Sequence, residues 1–154
     1  MYLLKRTNSD DLDFQSLVVE LDKDLAIRDG EDHSFFAQFN KIASIKHVVV
    51  AYQEGNAVGC GAIKEYESDL VNEKIMEVKR MFVPLEIRGN GIASIVLKEL
   101  ESWAKELGYQ KCILETGLKQ PEAIALYKKN NYNLIQNYGQ YAEVKSSVCF
   151  EKVI

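Results

Sequence analysis

The 154-residue sequence is poor in the residues that would mark a disulfide scaffold, a metal protein or a membrane protein. Its three cysteines, Cys60, Cys112 and Cys149, are odd in number, lack metal-type spacing and lie in apolar runs. That pattern excludes a disulfide framework and predicts reduced core thiols, as expected of a cytoplasmic protein. Two isolated histidines, His33 and His47, are too few to suggest a metal site. No apolar run approaches membrane-spanning length and the N-terminus has no signal-peptide core, so no membrane partner is expected. Charge of one sign is missing too. Nineteen Lys and Arg stand against 23 Asp and Glu, a net charge of −4 without blocks, which disfavours nucleic acid as a partner.

What remains, 47% hydrophobic and 27% charged residues, is the balance of one globular domain over residues 1–154, without repeats or linkers. Tyr2 to Arg6 reads as a short strand. A helix follows, capped by Ser9 or Asp10, with Leu12, Leu17, Val18, Leu21 and Leu25 at helical spacing and Asp29-Gly30 as its end. A second, shorter helix is expected from about Asp32 to Ser34 onward, carrying Phe35, Phe36, Phe39 and Ile42. His47 to Tyr52, Val58 to Tyr66 and Ile75 to Val83 form a three-strand meander, with Glu54-Gly55-Asn56 as its tight turn. Ile92, Val96, Leu100, Trp103, Ala104 and Leu107 share one stripe of a further helix, ended at Gly108. Lys111 to Thr116 is a strand, and Pro121 to about Asn130 a helix with proline in its first turn. Tyr132 to Ile135 and Glu143 to Lys152 close the chain as a hairpin. The order predicts an α+β fold with a mixed, largely antiparallel sheet. One strand–helix–strand crossover makes the strands ending at Val83 and starting at Lys111 parallel neighbours.

The stretch from Glu77 to Ala93 organises the rest. A strand is closed by Pro84, and Arg88-Gly89-Asn90-Gly91 then opens a helix at Ile92. Such a turn leaves outward-pointing N–H groups at the positive end of a helix dipole, where phosphate oxygens bind. A P-loop is excluded because Ile92 and Ala93 stand where Lys and Ser or Thr are needed. The dinucleotide fingerprint is excluded because its third glycine is missing.

Arg88-x-x-Gly91-x-Ala93 resembles the pyrophosphate signature of the GCN5-related N-acetyltransferases (GNAT), Gln/Arg-x-x-Gly-x-Gly/Ala. The similarity extends to Glu77-Val78-Lys79-Arg80-Met81-Phe82-Val83 and to Leu114-Glu115-Thr116-Gly117. It also covers Gln120-x-x-Ala123-x-x-Leu126-Tyr127-x-x-x-x-Tyr132, which looks like the fourth-helix motif. Four motifs in order identify the chain as a member of this family. The resemblance implies helices on both faces of the sheet and two parallel central strands splayed to hold acetyl-CoA. It further implies that the backbone of Met81, Phe82 and Val83 pairs with the pantetheine amides. N–H groups from Arg88, Gly89, Asn90, Gly91, Ile92 and Ala93 would hold the pyrophosphate. Gln120 stands where the family has Asn, and Asn131 replaces a Gly, which asks for a left-handed backbone there.

The implied reaction is acetyl transfer from acetyl-CoA to a primary amine of a small molecule or amino-acid-like acceptor, by direct attack in a ternary complex. It needs a base, a fixed donor for the carbonyl oxygen, and an acid for the leaving thiolate. Tyr127 matches the family's acid. Glu77 is the first candidate for the base, in line by period two with Lys79, Met81 and Val83; a cross-strand pairing role is the alternative. Glu115, Asp29, Glu31 and Asp32 are rivals, the last three better suited to binding a cationic acceptor. Tyr138 and Tyr141 are candidates to line the acceptor pocket. Of the cysteines, only Cys60 lies where an acetyl-cysteine route is worth testing. Protein acetylation and a non-catalytic acyl-CoA-binding module are the alternatives, and a homodimer is left open.

Overall fold

A computed structural model of the chain describes residues 1–30, 44–68 and 73–154. The described strands are β1 (Leu3–Thr7), β2 (His47–Gln53), β3 (Asn56–Tyr66), β4 (Ile75–Phe82), β5 (Lys111–Gly117), β6 (Asn133–Ile135) and β7 (Ser147–Val153). The helices are α1 (Leu12–Asp29), α2 (Ile92–Glu106) and α3 (Pro121–Lys129). The helix expected from Asp32 to Ile42 lies outside the described residues.

The strands form one sheet in the order β1-β2-β3-β4-β5-β7-β6. Every neighbour is antiparallel except β4 and β5, which are parallel as the crossover through α2 requires. α1 covers one face, packing Phe14, Leu17, Val18, Leu21 and Leu25 on Val48, Val50, Cys60, Ala62 and Phe82. α2 covers the other with Ile92, Val96, Leu97, Leu100 and Ala104, and Tyr127 of α3 belongs to the same core. No helix among the described residues is long and apolar enough to cross a membrane.

Local corrections are few. Asp11, not Ser9 or Asp10, caps α1; its carboxylate accepts from the Phe14 N–H at 3.0 Å. Phe14 takes the core position expected of Leu12, which is exposed. On α2, Leu107 is exposed and Trp103 half-buried, with Leu97 in the core instead. The stretch after Tyr138 makes a 3-10 turn (Gly139–Tyr141), so the last strand begins at Ser147 rather than Glu143.

The parallel pair is short. β4 and β5 are joined at Ile75–Lys111, Met76–Cys112 and Glu77–Ile113, and then part. Beyond Glu77, β4 stays with β3 as far as Phe82–Cys60, while β5 stays with β7 as far as Gly117–Ser147. A bulge in β4 accompanies the parting. The register with β3 steps from Ala62–Lys79 to Cys60–Phe82, and Arg80 takes a left-handed φ of 57°. A bulge bends its strand and increases its twist.

The same bulge overturns the period-two alignment expected of Glu77 with Met81 and Val83. Met76 and Val78 point to the α2 side, so Glu77 and Lys79 point to the α1 side. Arg80 stays on that side and pairs with Asp22 of α1, which returns Met81 and Val83 to the α2 side and Phe82 to the α1 side. One extra residue shifts the parity of the side chains that follow.

Candidate active site

The splay is lined by two adjoining cavities. The larger, about 330 Å³, runs along the end of β4 and the glycine turn to α3, bounded by Met81, Phe82, Val83, Arg88, Gly91, Ala93 and Tyr127 among others. The smaller, about 100 Å³, lies on the α1 side, where Leu21, Asp29, Glu77, Lys79, Glu115 and Tyr141 face one another. Leu21, Met81, Gln120, Ala123 and Tyr127 border both.

The glycine turn is built as its sequence demands. Gly89 and Gly91 have φ of 85° and 78°, angles that oppose any side chain. A Cβ built at either would meet nothing within 4 Å, so conformation rather than crowding requires glycine here. Gly91 is the N-cap of α2 and no side chain caps the helix; the first bond runs from the Ile95 N–H to the Gly91 carbonyl, 3.2 Å. The N–H groups of the first turn, Ile92 to Ser94, therefore open onto the larger cavity. Arg88 is anchored by its Nε, which donates to the Val83 carbonyl at 2.7 Å, and lies 5.7 Å from the centre of the Phe82 ring. Asn90 does not line either cavity; its side-chain amide donates to the Ile87 carbonyl and braces the turn. The remaining residues expected around the cofactor, from Met81 to Gln120 and Tyr127, do line the larger cavity. An extended chain bearing amides at one end and a pyrophosphate at the other fits this groove, bounded by a strand that has lost its neighbour and a helix start without a cap.

Tyr127 is held by packing. Its ring lies 5.7 Å from that of Tyr132 and 6.1 Å from that of Phe150, and its hydroxyl has no hydrogen-bond partner among the described residues. Burial pushes its phenol well above the ordinary tyrosine range, and the charge of Glu115 adds to this. The phenol therefore keeps its proton at neutral pH. Asn131 has φ 71°, so the substitution for glycine after α3 is met by the left-handed angle expected of it.

Glu77 and Glu115 face the smaller cavity from either side of the splay. Glu77 accepts from the Tyr138 hydroxyl at 2.6 Å and lies 3.8 Å from Lys79 Nζ. Glu115 accepts from Ser147 Oγ at 2.8 Å. Burial raises its carboxyl from 4.5 to about 7; Ser147 and Lys79 oppose that rise, while Asp29 and Glu77 reinforce it. Tyr141 lines the pocket as expected, whereas Tyr138 lines neither cavity and stands behind Glu77. Asp32 lies outside the described residues. Cys60 is buried beneath α1, donates to the Arg80 carbonyl at 3.5 Å, and burial pushes its thiol up to about 12. A thiol so protonated is a poor nucleophile.

The sequence pointed to Leu21 of α1 only as a core residue and did not single out Asp24 of α1 or Glu122 of α3; all three border the larger cavity. Their only local signal is position. Asp24 follows Leu21 by one turn and precedes Leu25 directly on α1, and Glu122 is in the first turn of a motif-bearing helix.

Comparison with known proteins agrees with this architecture. The family model described as acetyltransferase (GNAT) family matches residues 14–132. An IAA acetyltransferase of Azospirillum brasilense is 36% identical over 104 residues, covering 68% of this chain and 65% of its own. An uncharacterised N-acetyltransferase of Escherichia coli K12 is 40% identical over 83 residues, covering 52% of this chain and 46% of its own. The chain thus spans about half to two thirds of the length of these curated relatives. Among solved structures, a Klebsiella pneumoniae protein assigned as an acyl-CoA N-acyltransferase has a TM-score of 0.79 at 27% identity, over 99% of this chain and 97% of its own. PaiA N-acetyltransferase of Thermoplasma acidophilum, solved with coenzyme A, shares the fold with a TM-score of 0.70 at 16% identity, covering 100% of this chain and 99% of its own.

Proposed function

Since the chain belongs to the acetyltransferase (GNAT) family, we propose that it moves the acetyl group of acetyl-CoA to a primary amine of a small acceptor. The observation that carries this reading is the meeting of the two cavities at Met81 and Tyr127. One cavity is shaped by a phosphate-type turn and the other is lined by carboxylates. Bound acetyl-CoA supplies the activated acyl group and a thiolate leaving group. Arg88 and the backbone from Gly89 to Ala93 hold its phosphates, and the freed edge of β4 at Met81 to Val83 takes its amides.

An ammonium entering the smaller cavity meets Asp29, Glu77 and Glu115, with Lys79 as a nearby countercharge. The amine is reactive only after losing a proton, and a base suited to neutral pH has a pKa near 7. We assign that proton to Glu115, whose burial supplies such a value, rather than to Glu77, the first candidate from sequence. Glu77, fixed by Tyr138 and Lys79, orients the ammonium. Met81 N–H, at the bulged end of β4, is the donor for the carbonyl oxygen. Tyr127 holds the proton for the departing sulfur. The small size of the carboxylate-lined cavity favours a small amine over a protein side chain.

Calorimetric titration with acetyl-CoA, beside the same titration of Gly91→Glu, tests the cofactor assignment. Micromolar binding, about −8 kcal/mol, that is lost in the variant supports it. Free thiol release with one of a panel of small primary amines then tests the transfer. Wild-type protein that binds no acetyl-CoA refutes the reading.

A further inference from the structure

At the mouth of the larger cavity, four charged side chains from three elements meet. Arg28 of α1 donates from Nε to Asp24 Oδ1 at 3.1 Å and pairs through its other end with Glu122 of α3. Arg88 reaches the same two carboxylates only loosely, at 3.7 Å to Asp24 Oδ2 and 3.6 Å to Glu122 Oε1. The contacts are unequal. Each carboxylate sits closer to Arg28 than to Arg88, and the Arg88 distances exceed those of a charge-assisted hydrogen bond. Arg88 is meanwhile fixed from behind by the Val83 carbonyl and the Phe82 ring, so its two terminal nitrogens are presented at the cavity mouth. Asp24, Arg88 and Glu122 border that cavity, whereas Arg28 does not.

We infer that Arg28 is a positioning residue for cofactor binding, which draws Asp24 and Glu122 off Arg88 and so keeps the Arg88 fork available to phosphate. The inference rests on the acetyl-CoA reading above. A phosphate approaching Arg88 must compete with any carboxylate already paired there, and it is repelled by one left without a cation of its own. Arg28 relieves both effects without touching the ligand. It does so from the last turn of α1, where a cation is favoured by the helix dipole. The clasp also joins helices on opposite faces of the sheet at the open end of the splay, so it bridges the rim of the groove that phosphate must enter.

The test is calorimetric, with acetyl-CoA as the probe, on intact protein. Arg28→Met releases both carboxylates onto Arg88 and is expected to weaken acetyl-CoA binding about tenfold, while Glu122→Gln alone tightens it a few-fold. The triple variant Arg28→Met, Asp24→Asn, Glu122→Gln has no carboxylate left to compete and is expected to regain wild-type affinity. A residue needed only for structure would not be rescued by removing further partners. Binding unchanged in Arg28→Met, or weakened without recovery in the triple variant, overturns the inference while wild-type binding leaves the acetyl-CoA reading standing. Wild-type protein that does not bind overturns both.

Discussion

Glu115→Gln is the most informative single change, because it should make the protein more stable and less active, and the stability gain should depend on pH. Burial is the main reason that the Glu115 carboxyl titrates near 7 rather than at 4.5, with Ser147 and Lys79 working against the rise and Asp29 and Glu77 with it. Because the folded-state pKa is raised, between about pH 4.5 and 7 the native state binds the proton more readily than the unfolded chain. Folding stability contributed by this group therefore falls as pH rises through that window. The cost is absent below it and complete above it. The displacement from 4.5 to about 7, at about 1.4 kcal/mol per pH unit, sets a ceiling of roughly 3 kcal/mol. Glu115 keeps some exposure, so a realistic cost is about 1–3 kcal/mol. Glutamine is neutral throughout and can still accept from Ser147 Oγ. Urea denaturation from pH 4 to 8 should show a wild-type-to-variant difference near zero at pH 4, growing to about 1–3 kcal/mol in the variant's favour by pH 8. Acetyl transfer at pH 8 should fall about 10²- to 10⁴-fold for loss of a general base. A pH-independent stability difference, or a variant less stable at pH 8, refutes the burial argument. Full activity in the variant refutes the proton-acceptor role.

In wild-type protein the rate of acetyl transfer should rise with pH as Glu115 deprotonates around 7, and a pH–rate profile lacking that limb would count against it. Tyr127→Phe keeps the ring packed against Tyr132 and Phe150 and should leave acetyl-CoA affinity nearly unchanged. Turnover should fall about 10²-fold or more, as single-turnover and binding measurements can separate. Gly61→Ala would place a methyl group against Met81 Sδ and 2.8 Å from Leu100 Cδ1, where α2 packs on β3. A loss of about 1–3 kcal/mol in denaturant unfolding is expected, and no loss would mean that Met81 moves aside freely. Tyr138→Phe removes the 2.6 Å hydrogen bond to Glu77 and should raise KM for the amine more than it lowers kcat; the reverse split would place Tyr138 in the proton path.

Much of the architecture was legible because its signals are local. The apolar stripe of α2, the β-branched run Val48–Val50 and the turn at Glu54-Gly55 each show their character within a few residues, and each forms the expected element. The glycine turn was equally readable, since left-handed angles at Gly89 and Gly91 are a property of glycine itself. The bulge at Arg80 was not legible. Nothing in Glu77-Val78-Lys79-Arg80-Met81 marks an arginine at positive φ, and without it the period-two rule puts Glu77 beside Met81. The short pairing of β4 with β5 was likewise invisible. Only the family resemblance announced a splay, and its extent depends on how far β5 follows β7.

The sequence by itself determined most of the described elements, their order, the one parallel crossover and the place of the glycine turn, because periodicity, glycine and proline act on neighbouring residues. Tertiary structure alone decided the chemistry of the carboxylates. Glu77 is fixed by Tyr138, 61 positions away, and Glu115 by Ser147, 32 positions away. It also set Arg28 and Arg88 in competition for the same two acids. Desolvation and charge pairing depend on what folding brings near, and a side chain's sequence neighbours do not specify that.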